Sequence, residues 1–528
     1  MNFILYSDIG ESTIDKSLGL PEYSYYFVLK AFRSALAELG TVTLVRHPET
    51  EVDLLFEACR QRGEECVFLS FSPPSKTSIE LKCPTVSVFA WEYSNIPNEQ
   101  WGEDPRSDWR NVFARHGRAI TLSGYTASAV KDAMGSDFPV LAVPAPLWEQ
   151  FAGSRERLRY SGLGAQSEIR LRGTVIDSRV LGLSADGLIA NLAPPEVAPA
   201  SPVAALPPVV EREPLPAPAA MKNLRYRLGA TKRHLLGWYR DVLRDLLPLW
   251  LAKALAISGR KGYAMIRVER PTPALSSELP PPATVAPEPE TSVRLDGVVY
   301  TSVFSPKDGR KNWFDMVTAF CWTFREVEDV TLVLKMNERD LSSYRTTLMT
   351  LLSQLAPFKC RVVTLHAFLD DDAYEQLIGA TTYYVNTSLC EGLCLPLMEF
   401  MSCGKPAIAP MHTAMADYID EQVAFVVKSG LEQNVWPHDP RDLFRTLRYR
   451  LDWASICSAY RESYRVARQA PETYAQMREH TLQRMQSYAS VDTVRRQLQG
   501  FFQQTGRSRV LPDAVRDTVP VALTGRLT

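Results

Sequence analysis

Tyr383–Ile408 reads YYVNTSLCEGLCLPLMEFMSCGKPAI. A short apolar run, YYVN, ends in the loop SLCEGLCLP, and a helix starts near Pro396, where the missing N–H of proline costs nothing. Gly392 lets the backbone approach a ligand closely. The free amides of Leu393, Cys394 and Leu395, backed by the helix dipole, form an anion site. Glu391 in the loop and Glu399 in the helix stand eight positions apart. One carboxylate is thereby placed beside the anion and the other further along the same ligand. A carboxylate accepts two vicinal hydroxyls at once, as on a ribose or a hexose.

The texture around this stretch is that of a βαβ domain from about residue 297 onward. GVVYTSVFS (297–305), VTLVLKM (330–336), RVVTLHAF (361–368), YYVNTS (383–388) and PAIAP (406–410) are strand candidates. WFDMVTAFCWTFREV (313–327), a segment around 341–355 and AYEQLIGA (373–380) carry helical patterns between them. The same alternation fills residues 1 to about 150: FILYS, then a helical YSYYFVLKAFRSALAEL, then VTLV, VFLSF, TVSVFA, AITLS and VLAVP. Apolar strands alternating with helices imply parallel sheets covered on both faces. The sequence therefore predicts two Rossmann-like α/β domains facing across a cleft, with ligands beyond the C-terminal strand ends.

Between the halves the composition changes. Residues 192–219 and 270–291 are rich in Pro and Ala and read as extended linkers. They flank 221–261, which carries ten Lys/Arg against two Asp, with Leu235, Tyr239, Val242, Leu243 and Leu246 at helical spacing. The expected organisation is an N-terminal domain over 1–150, an insertion over 151–296, a second domain over 297–490, and a helix end and tail over 491–528.

Composition narrows the class without choosing a reaction. At 528 residues the chain exceeds one hydrophobic core. A formal charge of −1 offers no global field for nucleic acid. The nine cysteines lack CxxC spacing, against a zinc site or disulfide scaffold and in keeping with a reducing cytoplasm. MNFILYSDIG has no signal-peptide pattern, and Leu246–Ile257 is too short to span a bilayer. The expected location is the cytoplasm, with the inner membrane face as a peripheral station.

EGLCLPLMEFMSCGKP resembles the E-x7-E signature of retaining GT-B glycosyltransferases of family 4, close to EG-x-GLP-x-x-E-A-M-A-x-G-x-P. By that resemblance, Glu399 holds the nucleotide ribose, Glu391 faces the donor sugar, and the amides after Gly392 hold the diphosphate. The family's second loop glycine is Cys394 here. SVFSPKDGRKNWFDMVTAF (302–320) is similar to the family's diphosphate-gripping segment: Lys311 matches its lysine, and Arg310 is the candidate substitute for an arginine missing at Val303-Phe304. Lys335 is a weaker candidate cation. IAPMHTAMADYI (408–419) replaces the family's glycine-rich stretch, with Asp417 at its glutamate and His412 as a candidate contact. In the N-terminal half Gly19 and Glu22 fit loosely, TVSVFAWEYSNIP offers Glu92 as an acceptor-side candidate, Ser123 matches a family serine, and VPAPL stands where relatives read V-P-N-G. The resemblance is firm over 297–430, fair over 1–147 and absent over 150–292.

The resemblance implies hexose transfer from a nucleotide-diphosphate sugar to a glycan or lipid-linked acceptor, in bacterial cell-surface polysaccharide synthesis. It implies no metal and no cofactor other than the donor as substrate, because cations and helix amides neutralise the leaving diphosphate. Glu391, Lys311 and Glu92 are the expected catalytic residues. Arg310, Lys311, Gly392, Leu393, Cys394, Leu395 and Glu399 are the expected donor-binding residues. An anionic membrane surface is a candidate partner for 221–261. The competing readings are another enzyme on the same fold, and a catalytically degenerate domain acting as a scaffold or sugar-nucleotide binding module.

Overall fold

The computed structural model describes residues 1–10, 23–101, 103–158, 167–181, 290–338, 342–439 and 441–505. Gly19, Glu22, the Pro-rich linkers up to 289 and the basic segment 221–261 lie outside the described residues.

The first half runs β1 (Asn2–Ser7), α1 (Tyr23–Ala37), β2 (Thr41–Leu44), α2 (Pro48–Gln61), β3 (Cys66–Phe71), β4 (Thr85–Phe89), α3 (Trp109–His116), β5 (Ala119–Thr121), α4 (Gly124–Met134) and β6 (Val140–Ala142). Its strands form one sheet in the order β2-β1-β3-β4-β5-β6, parallel throughout. β3 and β4 are buried along their whole lengths, as strands covered on both faces must be. Every strand expected in this half is present.

A short α5 (Ala152–Arg157) leads on to β7 (Ser167–Arg172) and β8 (Thr174–Asp177). After the insertion come β9 (Glu290–Leu295), β10 (Val298–Phe304), α6 (Trp313–Thr323), β11 (Val330–Met336), α7 (Ser342–Leu355), β12 (Arg361–His366), α8 (Asp371–Ala380), β13 (Tyr383–Val385), α9 (Leu395–Ser402), β14 (Ala407–Pro410) and β15 (Ala424–Val427). The second sheet has the order β15-β14-β13-β10-β11-β12-β8. All its ladders are parallel except β12 with β8. The chain moves outward from β10 through β11 and β12, then returns to build β13, β14 and β15 on the other side. The switch point between β10 and β13 opens a crevice at the strand ends. Two doubly wound sheets are therefore present, as the sequence predicts.

The border of the insertion moves. β7 pairs antiparallel with β9, and β8 forms the edge of the second sheet, where Asp177 forms an ion pair with Arg361 at 2.7 Å. Both ends of the 151–296 stretch thus contain folded chain. Sequence reading missed these strands because their partners lie more than a hundred residues away.

Beyond β15, the ribbon β16 (Ser429–Val435) and β17 (Arg445–Leu451) precedes α10 (Trp453–Gln469), α11 (Pro471–Ala489) and α12 (Val491–Thr505). α12 returns to the first half and lies against α1, with Phe502 meeting Phe3 at 5.4 Å between ring centroids.

Gly297 separates β9 from β10 at φ +75, and a Cβ there would lie 2.0 Å from the Asp329 carbonyl oxygen. Backbone conformation and space both demand glycine. Gly297→Ala should cost on the order of 2–4 kcal/mol. Gly430→Ala, with nothing within 4 Å of the new methyl, should not. Denaturation midpoints of the two variants check the contrast.

Candidate functional site

At the switch point, the end of β10 and the loops after β10 and β13 converge on Glu391. Its side chain is 3% exposed and receives Lys311 Nζ at 2.6 Å, Arg310 Nη1 at 2.7 Å and Ser388 Oγ at 2.6 Å. Burial alone would push this carboxyl up, but the two cations beside it hold it well below the usual range. Local sequence fixes the cations. Asp308 caps the 3-10 turn Gly309–Lys311 through the Arg310 amide, and Asn312 reverses the chain at φ 49. Thr387 Oγ1 lies 3.2 and 3.1 Å from the carbonyls of Lys311 and Asn312, clamping the turn to the loop after β13.

Arg310 joins the two halves. Besides Glu391 it contacts Asp308 at 2.9 Å and Glu92 at 3.3 Å, the latter from the loop after β4. Burial opposes its charge, yet the surrounding carboxylates hold its pKa well above the ordinary value. Glu92 is pushed up by burial, with Arg310 opposing. The sequence candidates Glu92, Arg310, Lys311 and Glu391 are therefore one cluster.

Gly392 presses on the first half: a Cβ there would meet Ala90 Cβ at 2.9 Å and the Trp91 amide nitrogen at 3.1 Å. Cys394, where the resemblance expects glycine, adopts φ 69, ψ 68, so the left-handed turn is kept without the glycine. Its thiol accepts from Asn386 Nδ2 at 3.0 Å. The backbone N–H groups of Leu393, Cys394 and Leu395 donate to no acceptor among the described residues. They are the free donors expected at this helix start. Beneath them a cavity of about 10 Å³, the space of one water molecule, is lined by Ser302, Lys311, Asn386, Ser388, Glu391 and Cys394 among others.

Glu399 stands outside the ion cluster. It accepts from Tyr374 Oη of α8 at 2.5 Å, and burial pushes its carboxyl up to about 7. Lys335, one residue before the end of β11, is buried, its pKa pushed down to about 8 by burial, and donates to Asn337. Asp417 accepts from the Gly124 amide at 2.8 Å and so links the two halves. Ser123 caps α4 by accepting from the Thr126 amide. His412 is buried against the same loop as Glu391.

Sequence reading missed the ribbon of β16 and β17, which closes one side of the cleft. Asn95 Nδ2 donates to the Arg445 carbonyl at 3.0 Å, Leu447 N to Ser94 Oγ at 3.2 Å, and Arg441 meets Glu99 at 3.0 Å. Trp436 packs edge-on against Trp91 and Trp101. The available signal was the alternation in SGLEQNV and RTLRYRL around the turn residues of WPHDPRD.

No protein-family model matches the chain, and no curated protein matches it. Several solved structures are similar. HepE from Anabaena in complex with UDP matches at 12% identity and TM-score 0.41, covering 95% of this chain and 99% of that one. Sucrose-phosphate synthase from Thermosynechococcus elongatus matches at 12% identity and TM-score 0.46, over 96% and 99% of the two chains. A glycosyltransferase from Rickettsia africae matches at 9% identity and TM-score 0.44, over 96% and 99%.

Because Glu399 binds its proton more tightly folded than unfolded, native stability falls as pH rises from the ordinary carboxyl value of 4.5 to about 7. Glu399→Gln keeps an acceptor for Tyr374 and cannot ionise. It should match the wild type near about pH 5 and exceed it by on the order of 2 kcal/mol above about pH 8. Equal unfolding free energies at both pH values would contradict a buried charge at this position.

Proposed function

We propose that the chain is a glycosyltransferase that takes a hexose from a nucleotide-diphosphate sugar bound at the β10/β13 switch point. The observation that carries this reading is the meeting of free helix-start amides at Leu393–Leu395 with the Arg310 and Lys311 cations around Glu391. A diphosphate needs such donors and cations, and its charge grows as the sugar bond breaks. Glu391 would then take hydroxyls of the sugar, and Glu399, once ionised, those of the ribose.

The diphosphate enters by exchange. Glu92, Asp308 and Glu391 already surround Arg310 and Lys311, so three carboxylates face two cations. As the donor's phosphates take the cations, Glu391 is released toward the sugar and Glu92 toward the acceptor. Either Glu92 or an oxygen of the departing phosphate receives the acceptor hydroxyl's proton. The reading includes retention at the anomeric carbon, independence of metal, a glycan or lipid-linked acceptor, and a role in cell-surface polysaccharide synthesis at the cytoplasmic membrane face, with 221–261 as the surface-binding segment. No described helix is long and apolar enough to cross a membrane.

A second reading is favoured by the contact of Gly392 with Ala90 and by the one-water cavity. If the halves do not separate, the chain is a degenerate domain serving as a scaffold. Thermal shifts with UDP, GDP and ADP and their glucose or mannose conjugates, followed by donor hydrolysis, divide the two. A ligand at a hundred times its Kd should add about 2.7 kcal/mol of apparent stability. A scaffold should show neither shift nor hydrolysis.

In the enzyme, Lys311→Ala should lower kcat by roughly 10²-fold or more while changing donor affinity less, because leaving-group charge peaks in the transition state. Turnover at the wild-type rate would move the reacting centre elsewhere. Native-state spectra must accompany the rate, since the substitution also takes one partner from a buried carboxylate.

A further inference from the structure

Next to the Glu391 loop sits a buried histidine with half of its ring unused. His412 is 3% exposed, and its Nε2 has no hydrogen-bond partner among the described residues. The ring is held on both sides. Its face stacks on Tyr449 of β17, with centroids 4.4 Å apart and planes 12° from parallel. Its Nδ1 lies 3.2 Å from Thr413 Oγ1.

The distances around Thr413 assign the tautomer. The Thr413 hydroxyl donates to the His412 carbonyl at 2.8 Å, its shorter contact, and the Glu391 amide donates to the same hydroxyl oxygen at 3.0 Å. With its one proton committed, that oxygen can only accept from the imidazole. Nδ1 therefore carries the hydrogen, and Nε2 presents a bare lone pair. Burial keeps the ring neutral, pushing its pKa down to about 4. Thr413 meanwhile stands at φ 49, an outlier for a β-branched residue. A buried acceptor left unpaired and a strained threonine that holds it are two costs at one point. Such costs persist where a ligand uses them.

We propose that His412 is a specificity-determining residue: its Nε2 accepts a hydrogen bond from one hydroxyl of the donor's sugar, while Glu391 takes a neighbouring hydroxyl. The inference rests on the reading of this cleft as a donor site. Thr413 ties the two groups together, since one hydroxyl oxygen receives both the Glu391 amide and the imidazole. The chemical class recognised is a neutral sugar hydroxyl. A neutral imidazole lone pair favours a hydroxyl donor and offers nothing to a phosphate oxygen.

His412→Phe keeps the volume and the stacking on Tyr449 but has no lone pair, whereas His412→Gln keeps an acceptor. Calorimetric titrations of wild type and both variants with UDP, GDP and ADP, and with UDP-glucose, GDP-mannose and ADP-glucose, test the assignment. Whichever pair binds the wild type, His412→Phe should bind the nucleoside diphosphate unchanged and its sugar conjugate about three- to tenfold more weakly. His412→Gln should fall between. A purely structural role would weaken both ligands in parallel, and that result, or an unchanged ratio, overturns the assignment while leaving the donor site standing. Where His412→Phe does not fold, His412→Gln carries the comparison by the same ratio. Absence of binding by the wild type to all six ligands removes the donor site, and His412's role with it.

Discussion

The site depends on one buried ion pair, Glu391 held between Arg310 and Lys311. A carboxylate with 3% of its side chain exposed is tolerable only because two cations and a hydroxyl surround it. To place those cations, the chain after β10 must turn sharply, which Asp308, Asn312 and Thr387 enforce. To place the carboxylate, the loop after β13 must be pinned. Thr413 Oγ1 accepts from the Glu391 amide, and the Glu391 carbonyl accepts from the Ala414 amide. Cys394 and Thr413 bracket this loop in left-handed conformations, where a glycine would sit without strain. The side chains are kept because each makes a bond that glycine lacks: Cys394 to Asn386, Thr413 to Glu391 and His412.

This arrangement has a consequence for binding. An ion pair that is satisfied without ligand must be broken or reshaped when a competing anion arrives. Losing one partner of such a pair costs about 3–5 kcal/mol unless a replacement comes at once. In the proposed function, a diphosphate is that replacement, and its oxygens also meet the free amides of Leu393, Cys394 and Leu395. A monoanion brings less than the carboxylate it displaces. Under that reading, the cluster would select for high charge density in a ligand before any sugar or base is read.

The central strands were legible because they are buried on both faces and appear as continuous apolar runs, as in CVFLSF and VTLVLKM. Glu391 stood out in sequence by its loop and spacing, and Arg310 and Lys311 by resemblance alone; that the three form one cluster needed the fold. β7, β8 and β9 were not legible, since their pairing joins residues across the whole insertion and SEIRLR alternates like any exposed segment. The ribbon was missed for a related reason: Trp436, in the turn between its strands, packs on Trp91 and Trp101, some 340 residues earlier in the chain. The partnership of Glu399 with Tyr374 likewise needed the fold, because nothing in either local sequence points to the other. Cys394 shows the opposite case. Its departure from a glycine pattern was visible in sequence, but only the backbone shows that the turn survives it.

The contacts joining the halves decide how such a site could admit a donor. Most are exposed or half-exposed polar links, such as Arg441 with Glu99 and Asn95 with Arg445, each worth at most about 1 kcal/mol. The exceptions are apolar. Trp91 packs with Tyr93, Trp109 and Trp436, and α12 lies against α1 with its Phe502 on Phe3 of β1. The first of these seams adjoins the ion cluster: the Trp91 amide lies 3.1 Å from where a Gly392 Cβ would stand, and the next residue, Glu92, pairs with Arg310. Parting Gly392 from Ala90 therefore disturbs the Trp91 seam as well as the Arg310–Glu92 pair and the hydrogen bond from the Gly124 amide to Asp417.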